Sequence, residues 1–225
     1  MIKNLALLLI LLINLDQINA QQYGSFKDSR DGKVYKTVKI GQQEWMAENL
    51  NTSLFRNGDP IPEAKTKEEW EKAGENKKPA WCYYKFDSSG LSYIGKLYNG
   101  YAVLDQRGLA PIGWHITFTE EWDSMNNNLN QNKLHIFETS SWGTELLTNY
   151  QSQSKESGLS VSPNITRSAS GIFSTVSRLT ASFWLFKEED KIIIQIISPQ
   201  SRARYTPAEL FKTIGAPVRC IKDNK

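Results

Sequence analysis

The chain has 225 residues, of which 40% are hydrophobic and 11% aromatic. This composition suffices for a buried core and excludes a disordered polypeptide. The net charge is +3, from 27 basic and 24 acidic residues that are scattered along the chain. Because no dense basic run is present, a nucleic-acid partner is not expected.

The pattern of residues 1–20 is typical of a secretory signal peptide. Lys3 supplies the positive charge, and residues 5–13 form an apolar stretch that is short for a membrane span. We therefore expect cleavage after Ala20, a linker over residues 21–30, and a secreted or cell-surface protein. An uncleaved N-terminal anchor is the alternative. The mature chain has no further segment that approaches a membrane span.

The first part of the mature chain predicts a β-hairpin followed by a helix. Strand-forming residues bounded by glycine turns predict the hairpin over residues 31–50. Thr66 and Glu69 have the spacing of a capping box, which predicts a helix that ends at Gly74. A strand is expected over residues 80–84.

The middle of the chain predicts two further helices. The first is expected in residues 95–104, followed by a turn, although the tyrosines there leave a strand open. The second starts near Thr119, with Thr117 and Glu120 as its capping box. Residues 126–132 are rich in Asn and are expected to close this helix as a loop. Its apolar residues recur at helical spacing: Trp122, Met125 and Leu129.

The last third is expected to be rich in strands. Residues 151–170 have little periodicity and predict an extended surface loop, whereas residues 179–187 and 191–198 predict a hairpin. Residues 192–197 are apolar on both faces, which indicates a central strand. A final strand is expected over residues 218–222. Helices inserted among mostly antiparallel strands favour a single α+β domain.

Several stretches resemble one family of bacterial proteins. Residues 108–122 read GLAPIGWHITFTEEW, and similarity continues in order through residues 31–50, 95–103 and 218–223. The chain is therefore identified as a member of the Fibrobacter succinogenes major paralogous domain family, with one domain over residues 31–223. That family is best known as a set of exported proteins of undefined activity.

The resemblance also implies a fold and a core. The stretch around His115 is similar to a unit of formylglycine-generating enzymes, which have a C-type-lectin-like fold. This implies a mixed, mostly antiparallel sheet with two or three short helices and long loops. The catalytic cysteines of those enzymes and the calcium motifs of lectins lack counterparts here, so no cofactor is expected and no motif specifies calcium. The signature tryptophans are expected in the core: Trp45, Trp114, Trp122 and Trp184.

Candidate site residues are few. Cys82 and Cys220 are the only cysteines, and an even count in an exported chain favours a disulfide over two separate buried thiols. His115 and His135 lack the spacing of a metal site, and no nucleophile elbow is present. No catalytic or metal-binding residue is therefore predicted. Aromatic side chains that stack on sugar rings are the candidate ligand contacts: Trp70, Trp81, Tyr93 and Trp142.

These observations favour an exported, non-catalytic binding or surface module whose ligand is a glycan or a protein. One alternative is an extracellular enzyme that acts on polysaccharide or protein through an unrecognised site. The other is a structural surface protein that assembles with copies of itself.

Overall fold

A computed structural model describes residues 21–86, 94–137, 155–174, 180–198, 201–207 and 212–224. The helices are α1 (Lys67–Glu75), α2 (Gly100–Val103) and α3 (Thr119–Gln131), with a 3₁₀ turn at Tyr84–Phe86. The strands are β1 (Gln22–Lys27), β2 (Val34–Ile40), β3 (Gln43–Met46), β4 (Trp81–Cys82), β5 (Leu97–Asn99), β6 (Trp114–Ile116), β7 (Leu134–Phe137), β8 (Lys155–Val161), β9 (Ala181–Glu188), β10 (Lys191–Ser198), β11 (Ser201–Pro207), β12 (Gly215–Ala216) and β13 (Cys220–Lys222).

Most of the strand pairing is antiparallel. The largest sheet has the order β1-β2-β3-β13-β6, and two smaller sheets have the orders β11-β10-β9 and β12-β5-β4. Strands β7 and β8 form a parallel pair. The predicted α+β class, with mostly antiparallel strands and few helices, is confirmed. None of the helices in the described residues is long and apolar enough to cross a membrane.

The largest sheet contributes side chains to two separate core clusters. On β3, Trp45 packs in the cluster that contains Trp122, whereas its neighbour Met46 packs in the cluster that contains Trp114 and Trp184. Successive side chains of a strand point to opposite faces, so this sheet is buried on both sides at β3. The four signature tryptophans are at most 2% exposed, which confirms them as core residues.

Several predicted elements are confirmed. Strands β2 and β3 form the predicted hairpin. The Thr66 hydroxyl accepts from the backbone N–H of Glu69 at 3.2 Å and so begins α1. Strands β9 and β10 form the predicted hairpin, and β10 lies between β9 and β11 as a central strand. The isoleucines of β10 divide between the two core clusters, which is why its sequence is apolar on both faces.

Other predictions are wrong. The segment predicted as a linker over residues 21–30 contains β1, which pairs along its whole length with β2. Its side chains are mostly exposed, so no apolar alternation marks it in the sequence. The segment predicted as a surface loop over residues 151–170 contains β8. For residues 95–104, predicted as a helix with a strand left open, the structure contains both: strand β5 and then the short helix α2.

The start and end of α3 also differ from the prediction. The N-cap is Phe118, whose backbone N–H donates to Glu121 Oε2 at 2.9 Å. Thr117 is buried, and its hydroxyl instead donates to the backbone carbonyl of Arg219 at 3.1 Å. The helix continues through the Asn-rich segment because Leu129 is buried on the same face as Trp122.

Candidate ligand-binding cleft

A cleft with a volume of about 460 Å³ lies where β2, the chain after β3 and the end of β8 meet. We refer to it as the Lys33 cleft. Its volume falls within the range of roughly 300–1,000 Å³ that small-molecule sites occupy. The lining residues are Lys33, Val34, Tyr35, Lys36, Ala47, Glu48, Asn49, Asn51, Gly95, Ser160, Ser162 and Arg219.

The turn before β2 fixes the backbone that carries Lys33. Asp28 and Arg30 form a buried ion pair in this turn, with Nη2 and Oδ2 separated by 2.6 Å. Arg30 also donates to the carbonyl oxygens of Leu54 and Leu109, both at 2.8 Å. The backbone N–H of Asp28 donates to the carbonyl of Lys33 at 2.8 Å. Lys33 is therefore tied to the body of the domain.

Arg219 joins the segments that surround the cleft. Its Nε and Nη2 donate to Asn49 Oδ1 at 3.0 and 2.7 Å. Its Nη1 donates to the carbonyl oxygens of Met46 at 3.1 Å and Leu159 at 2.7 Å. The residue is 2% exposed, and burial lowers the pKa of Arg219 to about 10. The guanidinium therefore remains charged at neutral pH.

A second lysine lies beside the cleft. Lys96 is 6% exposed, and its Nζ donates to the carbonyl oxygen of Asn51 at 3.3 Å, to Asn51 Oδ1 at 3.1 Å and to Tyr83 Oη at 3.0 Å. The same Nζ lies 4.3 Å from the ring centroid of Trp81 and 4.8 Å from that of Tyr83. The three donors of this ammonium are thus satisfied while two aromatic rings stabilise its charge.

The amino groups of Lys33 and Lys96 share one acceptor. Nζ of Lys33 lies 3.5 Å from the carbonyl oxygen of Asn51, which Lys96 also contacts. Burial lowers the pKa of both lysines, and the charge of Lys96 lowers the pKa of Lys33 further. In the described ranges neither amino group has a carboxylate within ion-pair distance. Two positive charges therefore lie together without a direct counterion.

Two of the four aromatic residues predicted as ligand contacts, Trp70 and Trp81, do not line the cleft. Trp70 and Trp81 are 1% and 6% exposed, so they are core residues and not surface stacking platforms. Their indole N–H groups donate to the carbonyl oxygens of Thr213 at 3.1 Å and Ile61 at 2.9 Å. Tyr93 and Trp142, like the predicted signal peptide, lie outside the described residues.

The predicted disulfide between Cys82 and Cys220 is not present. Both cysteines are free and buried, and each packs in a different core cluster. Burial raises the pKa of the Cys82 thiol to about 11 and that of the Cys220 thiol to about 12. Both side chains therefore act as small apolar groups in the core, which was the alternative to a bridge.

His115 lies between two carboxylates. Its Nδ1 is 2.7 Å from Asp223 Oδ1, and its Nε2 is 2.8 Å from Glu121 Oε1. Partial burial opposes protonation, but hydrogen bonds to Glu121 and Asp223 outweigh it and raise the pKa of His115. Because Glu121 also caps α3, this cluster fixes the start of that helix against the end of the chain. Among the described residues, no group of three His, Cys, Asp or Glu side chains could hold a metal ion.

Sequence reasoning missed the cleft because its residues come from distant parts of the chain. Lys33 precedes β2, Asn51 follows β3, Gly95 precedes β5, and Arg219 precedes β13. The sequence prediction concentrated on aromatic residues as sugar contacts, whereas most of the residues that line the cleft are polar or charged. One signal was available: the segments 31–50, 95–103 and 218–223, which carried the family resemblance, all contribute polar residues to it or to its edge.

Comparison with known proteins agrees with the resemblance. Searches of curated proteins and of solved structures find no match to this chain. A family model described as the Fibrobacter succinogenes major domain matches residues 38–222, which span β2 to β13. The match covers most of the sequence. It includes all the stretches on which the resemblance was based, except residues 31–37 and residue 223. The chain therefore belongs to the Fibrobacter succinogenes major domain family.

Proposed function

We propose that this protein is an exported, non-catalytic binding module that holds a glycan in the Lys33 cleft. The observation that carries the proposal is the composition of the cleft wall. It combines amino groups, the amide of Asn51 and the hydroxyl of Ser160 with the aliphatic side chain of Val34, which is 58% exposed. Sugar hydroxyl groups pair with such donors and acceptors, and the apolar faces of sugar rings pack on exposed apolar side chains.

Export and a C-type-lectin-like architecture are part of this proposal. The sequence of residues 1–20 supports secretion through a cleavable signal peptide. The mostly antiparallel α+β organisation, with short helices and long connections, is compatible with a lectin-like fold. A concave site of this volume suits a small ligand such as part of a polysaccharide chain better than the broad surface of a protein.

Filling the cleft tests the proposal. Val34→Trp places a large side chain at an exposed position of β2 that lines the cleft, and tryptophan is well tolerated in strands. Ile112→Trp is the matched control, because Ile112 is also aliphatic and exposed (66%) but does not line the cleft. The purified wild-type protein and both variants would be applied to a glycan and polysaccharide array, and the positive ligands titrated by calorimetry.

We expect saturable binding of at least one glycan by wild type and Ile112→Trp, and loss of that binding in Val34→Trp. Equal binding by all three proteins would refute the cleft as the site. Absence of glycan binding by wild type would refute the glycan ligand and favour a protein partner or self-assembly, which sedimentation over a range of concentrations would detect.

A further inference from the structure

We infer that the Lys33 cleft selects glycans that carry an oxyanion, either the carboxylate of a uronic acid or a sulfate ester. This inference rests on the proposed function and names the ligand class for the same site. Its basis is an excess of positive charge and of unsatisfied donors on the cleft wall. Three cationic side chains line the cleft, Lys33, Lys36 and Arg219, against a single carboxylate, Glu48.

Lys33 is the group best placed to bind the anion. Among the described residues its Nζ makes one long hydrogen bond, 3.5 Å, to the carbonyl oxygen of Asn51. An ammonium has three donors, so Lys33 retains donors for a ligand. Lys96 has no such donors left, because its three protein acceptors occupy them. Lys96 therefore acts on the ligand through its charge, and it holds Asn51 in place.

The orientation of the Asn51 amide follows from Lys96. An ammonium can only donate, so the side-chain atom of Asn51 at 3.1 Å from Lys96 Nζ must be the carbonyl oxygen. The amide NH2 group of Asn51 is then left as a hydrogen-bond donor. In the described part of the chain no acceptor is paired with it. The cleft thus offers an amide donor beside the Lys33 ammonium.

Glu48 does not cancel this positive charge. Its Oε2 accepts from the backbone N–H of Lys36 at 3.0 Å, which fixes the carboxylate against β2. Glu48 makes no ion pair with the Lys36 amino group, which is exposed on the same wall. A cationic ligand would meet the carboxylate of Glu48 on the wall and that of Asp31 near Lys33, but it would be repelled by Lys33, Lys36 and Arg219. An anion would meet several donors and a favourable field.

The test measures binding of three polysaccharides. Polygalacturonate carries carboxylates, dextran sulfate carries sulfate esters, and unmodified dextran is the neutral probe. Lys33→Gln removes the ammonium that we infer binds the anion. Lys39→Gln is the control, because Lys39 is an exposed lysine on β2, the strand that follows Lys33, and does not line the cleft. Both variants lower the net charge equally, so general attraction between the protein and a polyanion changes equally. Thermal melting would verify that each variant is folded.

We expect wild type to bind at least one of the two anionic polymers more tightly than dextran. Lys33→Gln should weaken this binding by about tenfold, the usual effect of losing one charge-assisted hydrogen bond. Lys39→Gln should keep it. The polymer that binds identifies the oxyanion as carboxylate or sulfate. Equal weakening by the two substitutions would indicate general charge attraction and overturn the inference.

The two variants distinguish loss of the anion preference from loss of the cleft as the binding site. Tight binding of a neutral glycan that Val34→Trp abolishes and Lys33→Gln leaves unchanged would overturn the anion preference while the cleft remains the binding site. Binding of an anionic polymer that Val34→Trp leaves unchanged would refute the cleft itself, and with it both proposals.

Discussion

Substitution of Arg219 by methionine should destabilise the fold more than the loss of an ordinary surface arginine. Methionine keeps much of the length of the side chain but cannot donate a hydrogen bond. The change removes the donors that Asn49 Oδ1 and the carbonyl oxygens of Met46 and Leu159 receive. These acceptors belong to the end of β3, the segment after it and β8, so Arg219 joins all three to the start of β13.

The magnitude follows from burial. Arg219 is 2% exposed, so water cannot replace the lost donors without opening the structure. Removing one member of a buried charged network costs about 3–5 kcal/mol of unfolding free energy, because its partners stay buried and unpaired. Small domains are stable by only about 5–15 kcal/mol, so a cost of this size should shift the unfolding transition clearly.

Equilibrium unfolding in urea, followed by tryptophan fluorescence, measures this cost. Arg56→Met is the control, because Arg56 also donates to two carbonyl oxygens, those of Ala110 and Trp114, but is itself exposed. It should lose about 1 kcal/mol or less. A loss below about 1 kcal/mol for Arg219→Met, or equal losses for the two variants, would refute the role of burial in this argument.

Three further predictions concern the rest of the fold. The pKa of His115 is raised in the folded state, so its stabilising effect is full below the unfolded pKa of about 6.5 and disappears as pH rises through the folded pKa. His115→Gln should therefore lose more unfolding free energy at pH 5.5 than at pH 8.5, and a pH-independent difference would contradict this. Leu129→Ala should lower the unfolding free energy by about 2–5 kcal/mol, because Leu129 is buried in α3. Asn130→Ala, at an exposed position of the same helix, should change it by no more than about 0.5 kcal/mol. Similar losses for the two variants would argue against a helix through this segment. In the native protein Cys82 and Cys220 should not react with a thiol reagent, because both are buried. After denaturation without reductant both should react. Failure of the denatured protein to react would indicate a disulfide bridge.

Elements stabilised by their own residues were predictable. The hydroxyl of Thr66 caps α1, and the stripe of Trp122, Met125 and Leu129 defines the buried face of α3. The apolar run on β10 indicated a central strand because a strand that is apolar on both faces needs neighbours on both sides. In each case a few adjacent residues carry the whole physical reason, so the pattern is visible in the sequence.

Elements stabilised by their pairing partners rather than by their own side chains were not predictable. Strand β1 is polar and exposed, and it is a strand because β2 supplies its hydrogen bonds. Strand β8 pairs with β7. The burial of Trp70 and Trp81 depends on the residues that cover them, since a tryptophan in isolation is equally suited to a core or to a surface that binds sugar.

The sequence by itself determined the family, the α+β class and the tryptophans of the core. Only the tertiary structure decided which polar residues share a site. Lys33 and Lys96 are far apart in the chain, yet their amino groups lie against the same carbonyl oxygen, that of Asn51. Hydrophobic periodicity specifies which face of an element is buried, but the separation of two charges depends on how whole elements pack. The Lys33 cleft is therefore a property of the packed domain.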